Sequence, residues 1–218
     1  MKNLIDLSEN VIRIQAMENS EGNGSAFFIN FEQNLYGVTA KHIFENKTTD
    51  KAKIFVPSRE WVEFSIIDPK CSTEKDVMVF KVGDDFPINN LNGLQYCVPD
   101  YYCYGSDVYC LGFPYNVSFD VSTNGNKEIP SIKKGVINAI SDNFLVDKML
   151  AVGFSGGPII MENKVIGIIS DGSYLHLFDT TTKRMAENYN YLAPDEFALC
   201  VNIKEAISLL NSCKAKSS

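Results

Sequence analysis

The segment AVGFSGGPII, Ala151 to Ile160, sets a serine among glycines and follows it with proline and an apolar run. A serine on such a turn has the form of a prepared nucleophile, but its hydroxyl reacts poorly without a base in hydrogen-bond reach. Histidine is the usual base, and the chain holds two, His42 and His176. One precedes Ser155 and the other follows it, so the choice of base decides which fold is being read.

As G-x-S-x-G, the segment fits the nucleophile elbow of an α/β-hydrolase, which needs a strand before the serine and a helix after it. Its partners would follow the serine, with His176 as base and Asp171 or Asp195 behind it. The residues after Ser155 argue against this. Gly156, Gly157 and Pro158 are poor helix formers, and IIMENKVIGIIS reads as two strands around the turn ENK. Other chemistry-bearing patterns fail on spacing. None of the six cysteines (Cys71, Cys97, Cys103, Cys110, Cys200, Cys213) forms a C-x-x-C pair. Cys97, Cys103 and Cys110 have neither zinc-like spacing nor a nearby histidine, so no metal is expected and buried, inert thiols are. GNG at 22–24 is too short for a dinucleotide loop. SIKK and SDN lie close together with no K-T-G after them, which breaks the penicillin-binding set.

The elements that must position Ser155 are mostly strands. NVIRIQAM alternates as a half-buried strand does. GNGSAFFIN and LYGVTAKHIF bracket the polar turn FEQN, a hairpin signal. KAKIFVP, WVEFSIID and DVMVFKV follow at short intervals. After the aperiodic stretch GDDFPINNLNGLQYCVPDYY come DVYCLGFP, SIKKGVINAISD, GGPIIME, KVIGIIS and EFALCVNI. Two sets of about six short strands predict an all-β chain of two antiparallel β-barrels. The expected division is 1–90 for the first barrel, 91–104 for a linker and 105–218 for the second. One helix is predicted in NIKEAISLLNS, with Ile203, Ala206, Ile207 and Leu210 on one stripe, Asn202 as cap and Glu205 reaching back. The stretch 171–196 reads as a long loop that could border a cleft.

The 14 Phe and 10 Tyr favour strands, and 45% apolar with 22% charged residues is ordinary for a globular chain. A net charge of −7 disfavours nucleic acid and anionic membrane as partners. Asp6 and Glu9 would interrupt the apolar core of a signal peptide, and no later run is long enough to span a bilayer. A cytoplasmic protein is expected, with free thiols.

With the pattern read as G-x-S-G-G-P, the rest of the chain resembles the chymotrypsin-like serine peptidases. GVTAKHIF is similar to their T-A-x-H segment and KDVMVFKV to their D-[IV]-x-[LV] strand. VIGIISDGS is similar to the strand on which the substrate adds. DVYCLGFPYN, KKGVINAI and FALCVNIKEAISLL resemble the bacterial Deg-type branch, so the likeness covers roughly residues 10–212. The resemblance implies a catalytic triad of His42, Asp76 and Ser155, in the family's order. Ser155 would attack the carbonyl, His42 would carry the proton and Asp76 would orient the ring. The N–H groups of Gly153 and Ser155 would form the oxyanion hole, and Ser170 would bond Asp76. Substrate-binding positions would be Met149 and Leu150 at the pocket base and Ser170, Asp171 and Gly172 as one wall. An uncharged base implies an apolar residue before the scissile bond. No cofactor is required, and the partner is a protein or peptide substrate.

Departures from the family pattern bear on activation. Phe154 stands where digestive members have an aspartate that pairs with a newly cut N-terminus, and no R-I-V-G-G precedes the first strand. The chain also ends before the PDZ module of Deg-type proteins could fit, so regulation by a protein partner would act on the protease domain itself. The alternative function is a catalytically silent protease-fold module that binds extended peptides. Ester hydrolysis on the same machinery is a third reading.

Overall fold

The computed structural model describes residues 4–17, 23–44, 49–56, 60–89, 91–100, 103–114, 128–140, 143–147, 150–172, 178–179, 184–185 and 197–212. At 139–140, 143–144, 171–172, 178–179, 184–185 and 197 it describes the backbone alone. His176, Asp195, Met149 and Cys213 lie outside the described residues.

The polar FEQN turn joins β2 (Asn23–Phe31) to β3 (Asn34–Thr39), with Glu32 and Gln33 at φ 48° and 67°. Positive φ at both positions makes a two-residue type I′ turn, whose twist matches that of the strands it connects. ENK does the same between β10 (Pro158–Met161) and β11 (Lys164–Gly172), with Glu162 and Asn163 at φ 49° and 64°. The strands β1 (Val11–Ala16), β4 (Lys51–Val56), β5 (Glu60–Cys71) and β6 (Met78–Val82) complete a closed antiparallel barrel in the order β1-β2-β3-β6-β5-β4. The second closed barrel runs β10-β11-β14-β9-β8-β7, using β7 (Asp107–Gly112), β8 (Ser131–Ile140), β9 (Asn143–Asp147) and β14 (Phe197–Asn202). Within 171–196, the backbone pairs as β12 (Phe178–Asp179) and β13 (Arg184–Met185). The architecture is the expected all-β pair of six-stranded barrels with a C-terminal helix.

Several local expectations are corrected. NFLVD, absent from the expected strands, forms β9 and pairs antiparallel with β8, with a register shift between Ile137 and Ala139. β5 does not stop at Asp68: it bulges there, at φ 49°, and runs on through Pro69 to Cys71. A bulge leaves a position outside the ladder, and a residue without an N–H is tolerated there. A short helix α1 (Leu4–Ser8), which was not anticipated, puts Leu7 into the core. No helix of the described residues is long and apolar enough to cross a membrane.

The cores sit in three places. One fills the first barrel around Phe28, Phe64 and Phe80, and one fills the second around Cys110, Phe154 and Ile166. The third lies between the barrels and joins Val11, Phe27 and Val79 to Leu111, Ile160 and Val201. The C-terminal helix α2 (Ile203–Asn211) seals this interface with Ile203, Ala206 and Leu210. Asn202 caps it, accepting from the Lys204 N–H at 2.9 Å. Glu205 does not complete a capping box; its Oε1 accepts from the Ser72 hydroxyl at 2.6 Å and ties the helix to the first barrel. The segment between barrels is strapped to both: Leu94 N–H donates to Phe28 O at 2.7 Å and Cys97 N–H to Val165 O at 2.9 Å.

β1 departs from alternation because all six residues are buried, Arg13 and Gln15 included. Arg13 is buried because it bridges the barrels. Its guanidinium bonds Glu128 at 3.0 Å and lies over the rings of Phe55 and Phe113 at 4.5 and 5.5 Å. Both partners are about as buried as core residues, at 4% and 5% exposure. Removing one partner of such a pair strands the other charge. Glu128→Ala should therefore lower unfolding stability by roughly 3–5 kcal/mol, read from the midpoint of urea denaturation with an unchanged slope.

Candidate active site

Three side chains from both barrels meet at the inter-barrel seam. After β3 the chain tightens into a 3-10 turn, Lys41–Phe44, so His42 lies on this turn and not on the predicted strand. The turn points the His42 backbone N–H and ring at the same carboxylate. Asp76, two residues before β6, accepts the His42 N–H on Oδ1 at 2.8 Å and Nδ1–H on Oδ2 at 2.7 Å. Ser170, from the second barrel, donates its hydroxyl to that Oδ2 at 2.6 Å. The ladder of β11 on β14 shifts register between Ile169 and Asp171, and Ser170 sits at the irregularity. Such bulges re-aim a side chain, here toward the first barrel.

The tautomer follows from the partners. A carboxylate only accepts, so Nδ1 carries the proton and Nε2 is the basic nitrogen. The His42 side chain is 40% exposed and that of Asp76 23%. Burial pushes the Asp76 carboxyl up. Hydrogen bonds from His42 and Ser170, together with the histidine's charge, outweigh it and hold the group below the usual carboxylate value.

Ser155 stands on the facing loop. Its carbonyl accepts the Ser25 N–H at 2.7 Å. The next residue, Gly156 at φ 82°, packs so closely that a Cβ would run into Ser25 O, Thr39 Oγ1 and Ala40 N. Only glycine fits, because that loop lies against the strand end that leads directly to His42. Among the described residues no hydrogen bond joins the Ser155 hydroxyl to the His42 ring.

The turn before Ser155 is closed by Phe154 N–H to Ala151 O at 3.2 Å, with Gly153 at φ 103°. Positive φ at the third position defines a type II turn. A side chain on Gly153 would collide with Phe113 O. Among the described residues neither the Gly153 N–H nor the Ser155 N–H donates to a protein acceptor, although Phe154, Gly156 and Gly157 all donate theirs. Two undirected donors flanking a serine can bind a negatively charged oxygen.

The position before Ser155 holds a wholly buried Phe154, whose backbone and ring press on Gly112 in the second core. Leu150, expected at the pocket base, is half-buried against that same core. Asp171 and Gly172 continue β11, and their side chains are not described. Among the described cysteines Cys110 and Cys200 are buried as expected, but Cys71 and Cys97 are exposed and Cys103 is half-buried. Sequence reasoning missed Ser25, which contacts the nucleophile turn with both backbone and side chain. Its only signal was a small polar residue inside an otherwise apolar strand, GNGSAFFIN.

Residues 24–168, more than half of the chain, match the model of the trypsin-like peptidase domain. Among curated proteins none matches the sequence. The fold is similar to that of the Rv3671c protease from M. tuberculosis in its active form, with TM-score 0.65, 15% identity, and 95% of this chain and 82% of that chain covered. The serine endoprotease from Yersinia pestis gives TM-score 0.65 at 15% identity, covering 97% of this chain and 67% of that chain. The HtrA-type protease AlgW, solved with a tripeptide, gives 0.63 at 17%, covering 94% and 60%. The chain belongs to the trypsin-like peptidase domain family, on a chymotrypsin-like double β-barrel shared with HtrA-type proteases.

Proposed function

We propose that this protein is a serine endopeptidase that hydrolyses peptide bonds through an acyl-enzyme. The observation that carries the reading is the type II turn at Gly153. It leaves two N–H groups undirected beside Ser155, on the loop that packs against the entry to His42. Ser155 Oγ attacks the scissile carbonyl as its proton passes to His42 Nε2. The oxyanion is held by Gly153 and Ser155 N–H, and the proton then goes to the leaving amine. Water repeats the sequence to release the acid. Asp76 fixes the ring and stabilises the imidazolium, while Ser170 fixes Asp76. In substrate-free enzymes the nucleophile–base bond is commonly long and tightens on binding.

β10 pairs with β11 only as far as Ile168, and β14 covers the other edge through Gly172. The backbone of 170–172 is therefore without a strand on the Ser155 side, which suits an extended peptide adding there. The formed turn weighs against a silent binding module, since Phe154 cannot recruit a terminal amine and the turn is built without one.

A fluorophosphonate probe should label the wild type and not Ser155→Ala, and casein cleavage should vanish with labelling; a wild type that never labels would defeat the enzyme reading. The pH profile has a definite sign. A depressed carboxyl contributes stability above its unfolded range and loses it only as pH falls through the lower folded value, so Asp76 stays ionised near neutrality. kcat/KM should therefore rise with pH as the base loses its proton, with no contribution from Asp76 near neutrality. Asp76→Asn should cost about 10⁴ in kcat, since the ring loses its tautomer. Cleavage profiling on a peptide library should show an apolar residue before the scissile bond, and strict cleavage after Arg or Lys would exclude the uncharged pocket base.

A further inference from the structure

The nucleophile turn is held from the opposite barrel by one side chain. Ser25 is wholly buried on β2, and its hydroxyl donates to the Gly153 carbonyl at 2.7 Å. The same oxygen accepts the Phe113 N–H at 3.2 Å. A hydroxyl proton rotates to suit its surroundings; with Phe113 donating to the oxygen, the proton is left for Gly153. The Ser25 carbonyl is itself fixed by the Thr39 hydroxyl at 2.8 Å.

The peptide groups of the turn can be followed one by one. In the 153–154 group, C=O is held by Ser25 Oγ and N–H by Ala151 O. In the 154–155 group, C=O takes the Gly157 N–H at 2.9 Å. In the 155–156 group, C=O takes the Ser25 N–H and N–H goes to Ile169 O, each at 2.7 Å. The 152–153 group differs: among the described residues neither its C=O nor its N–H has a hydrogen-bond partner, and Val152 is 77% exposed. Rotating that group by about half a turn converts type II to type I, directing a carbonyl where the Gly153 N–H now points. The 153–154 plane lies the same way in both turn types, so its bonds fix where the turn sits against the first barrel. Without Ser25 Oγ it would keep a single bond, at 3.2 Å from Phe154 N–H.

We infer that Ser25 is a positioning residue that anchors the nucleophile turn to the first barrel and so sets where the Gly153 N–H meets the reacting carbonyl. It touches no substrate and acts across the seam, through the Gly153 carbonyl. The inference rests on the peptidase reading above and adds a determinant of kcat from the first barrel.

The test compares wild type with Ser25→Ala and the near-isosteric, poorly donating Ser25→Cys. In both variants kcat should fall by on the order of ten- to a hundredfold, with KM little changed. Binding of a peptide boronate, whose tetrahedral adduct sets an oxygen on these N–H groups, should weaken by the same factor. In a Ser155→Ala background, Ser25→Ala should leave the Kd of an uncleaved substrate peptide unchanged. Wild-type kcat and boronate affinity in Ser25→Cys would overturn the assignment, as would equal loss of boronate and substrate-peptide affinity. Should Ser25→Ala fail to fold, Ser25→Cys decides. A wild type inert to the fluorophosphonate would remove the peptidase reading and this role with it, whereas a reactive wild type with unaffected Ser25 variants would remove this role alone.

Discussion

The structure depends on a seam between two sheets that are each already closed. In a closed barrel each strand is paired on both sides along its body, so neither sheet reaches the other by extending its ladder. What registers the two is a small set of directed bonds inside an apolar interface. Ser25 N–H on the Ser155 carbonyl, Ser25 Oγ on Gly153 and Ser170 Oγ on Asp76 all cross it. Around them lie Val11, Phe27 and Val79 from one barrel and Leu111, Ile160 and Val201 from the other. The apolar contact supplies non-directional cohesion; the hydrogen bonds give it one register. The proposed base and nucleophile come from opposite sides, so the chemistry inherits the precision of this contact.

Buried charge and buried bulk divide the work of shaping the nucleophile turn. The Arg13–Glu128 pair spans the seam under Phe113, whose N–H fixes Ser25 and whose carbonyl lies against Gly153. Phe154 has its ring in the second core and its backbone in the turn. An apolar anchor at that position needs no chain cleavage and no terminal amine to become buried. It is buried with the second core, while the carbonyl of the preceding Gly153 is held from the first barrel by Ser25.

Motif-carrying residues were legible because their chemistry restricts both type and neighbours. A serine followed by Gly-Gly-Pro excludes a helix, and the polar FEQN and ENK turns announce hairpins through side-chain pattern alone. His42 and Asp76 were legible in the same way, although the 3-10 turn that aims His42 was not, since four residues carry no period. β9 is missing from the sequence reading because NFLVD is short and follows directly on SIKKGVINAISD, and the expected capping role of Glu205 fails because Ser72, remote in sequence, offers a better partner. Buried Arg13 defied alternation for a related reason: its counter-charge lies more than a hundred residues away.

The sequence by itself determined the strand count of the first barrel, its hairpin turns, the stripe and cap of α2, and the order of His42, Asp76 and Ser155 along the chain. These follow from periodicity, turn chemistry and short-range spacing, all of which are local. Tertiary structure alone decided that the Gly153 turn is type II, that Ser170 turns to Asp76 at a bulge, and that Ser25 reaches across to hold the loop. Each of these depends on atoms from two barrels meeting within hydrogen-bond distance, and sequence separation carries no record of distance once a chain has closed on itself twice.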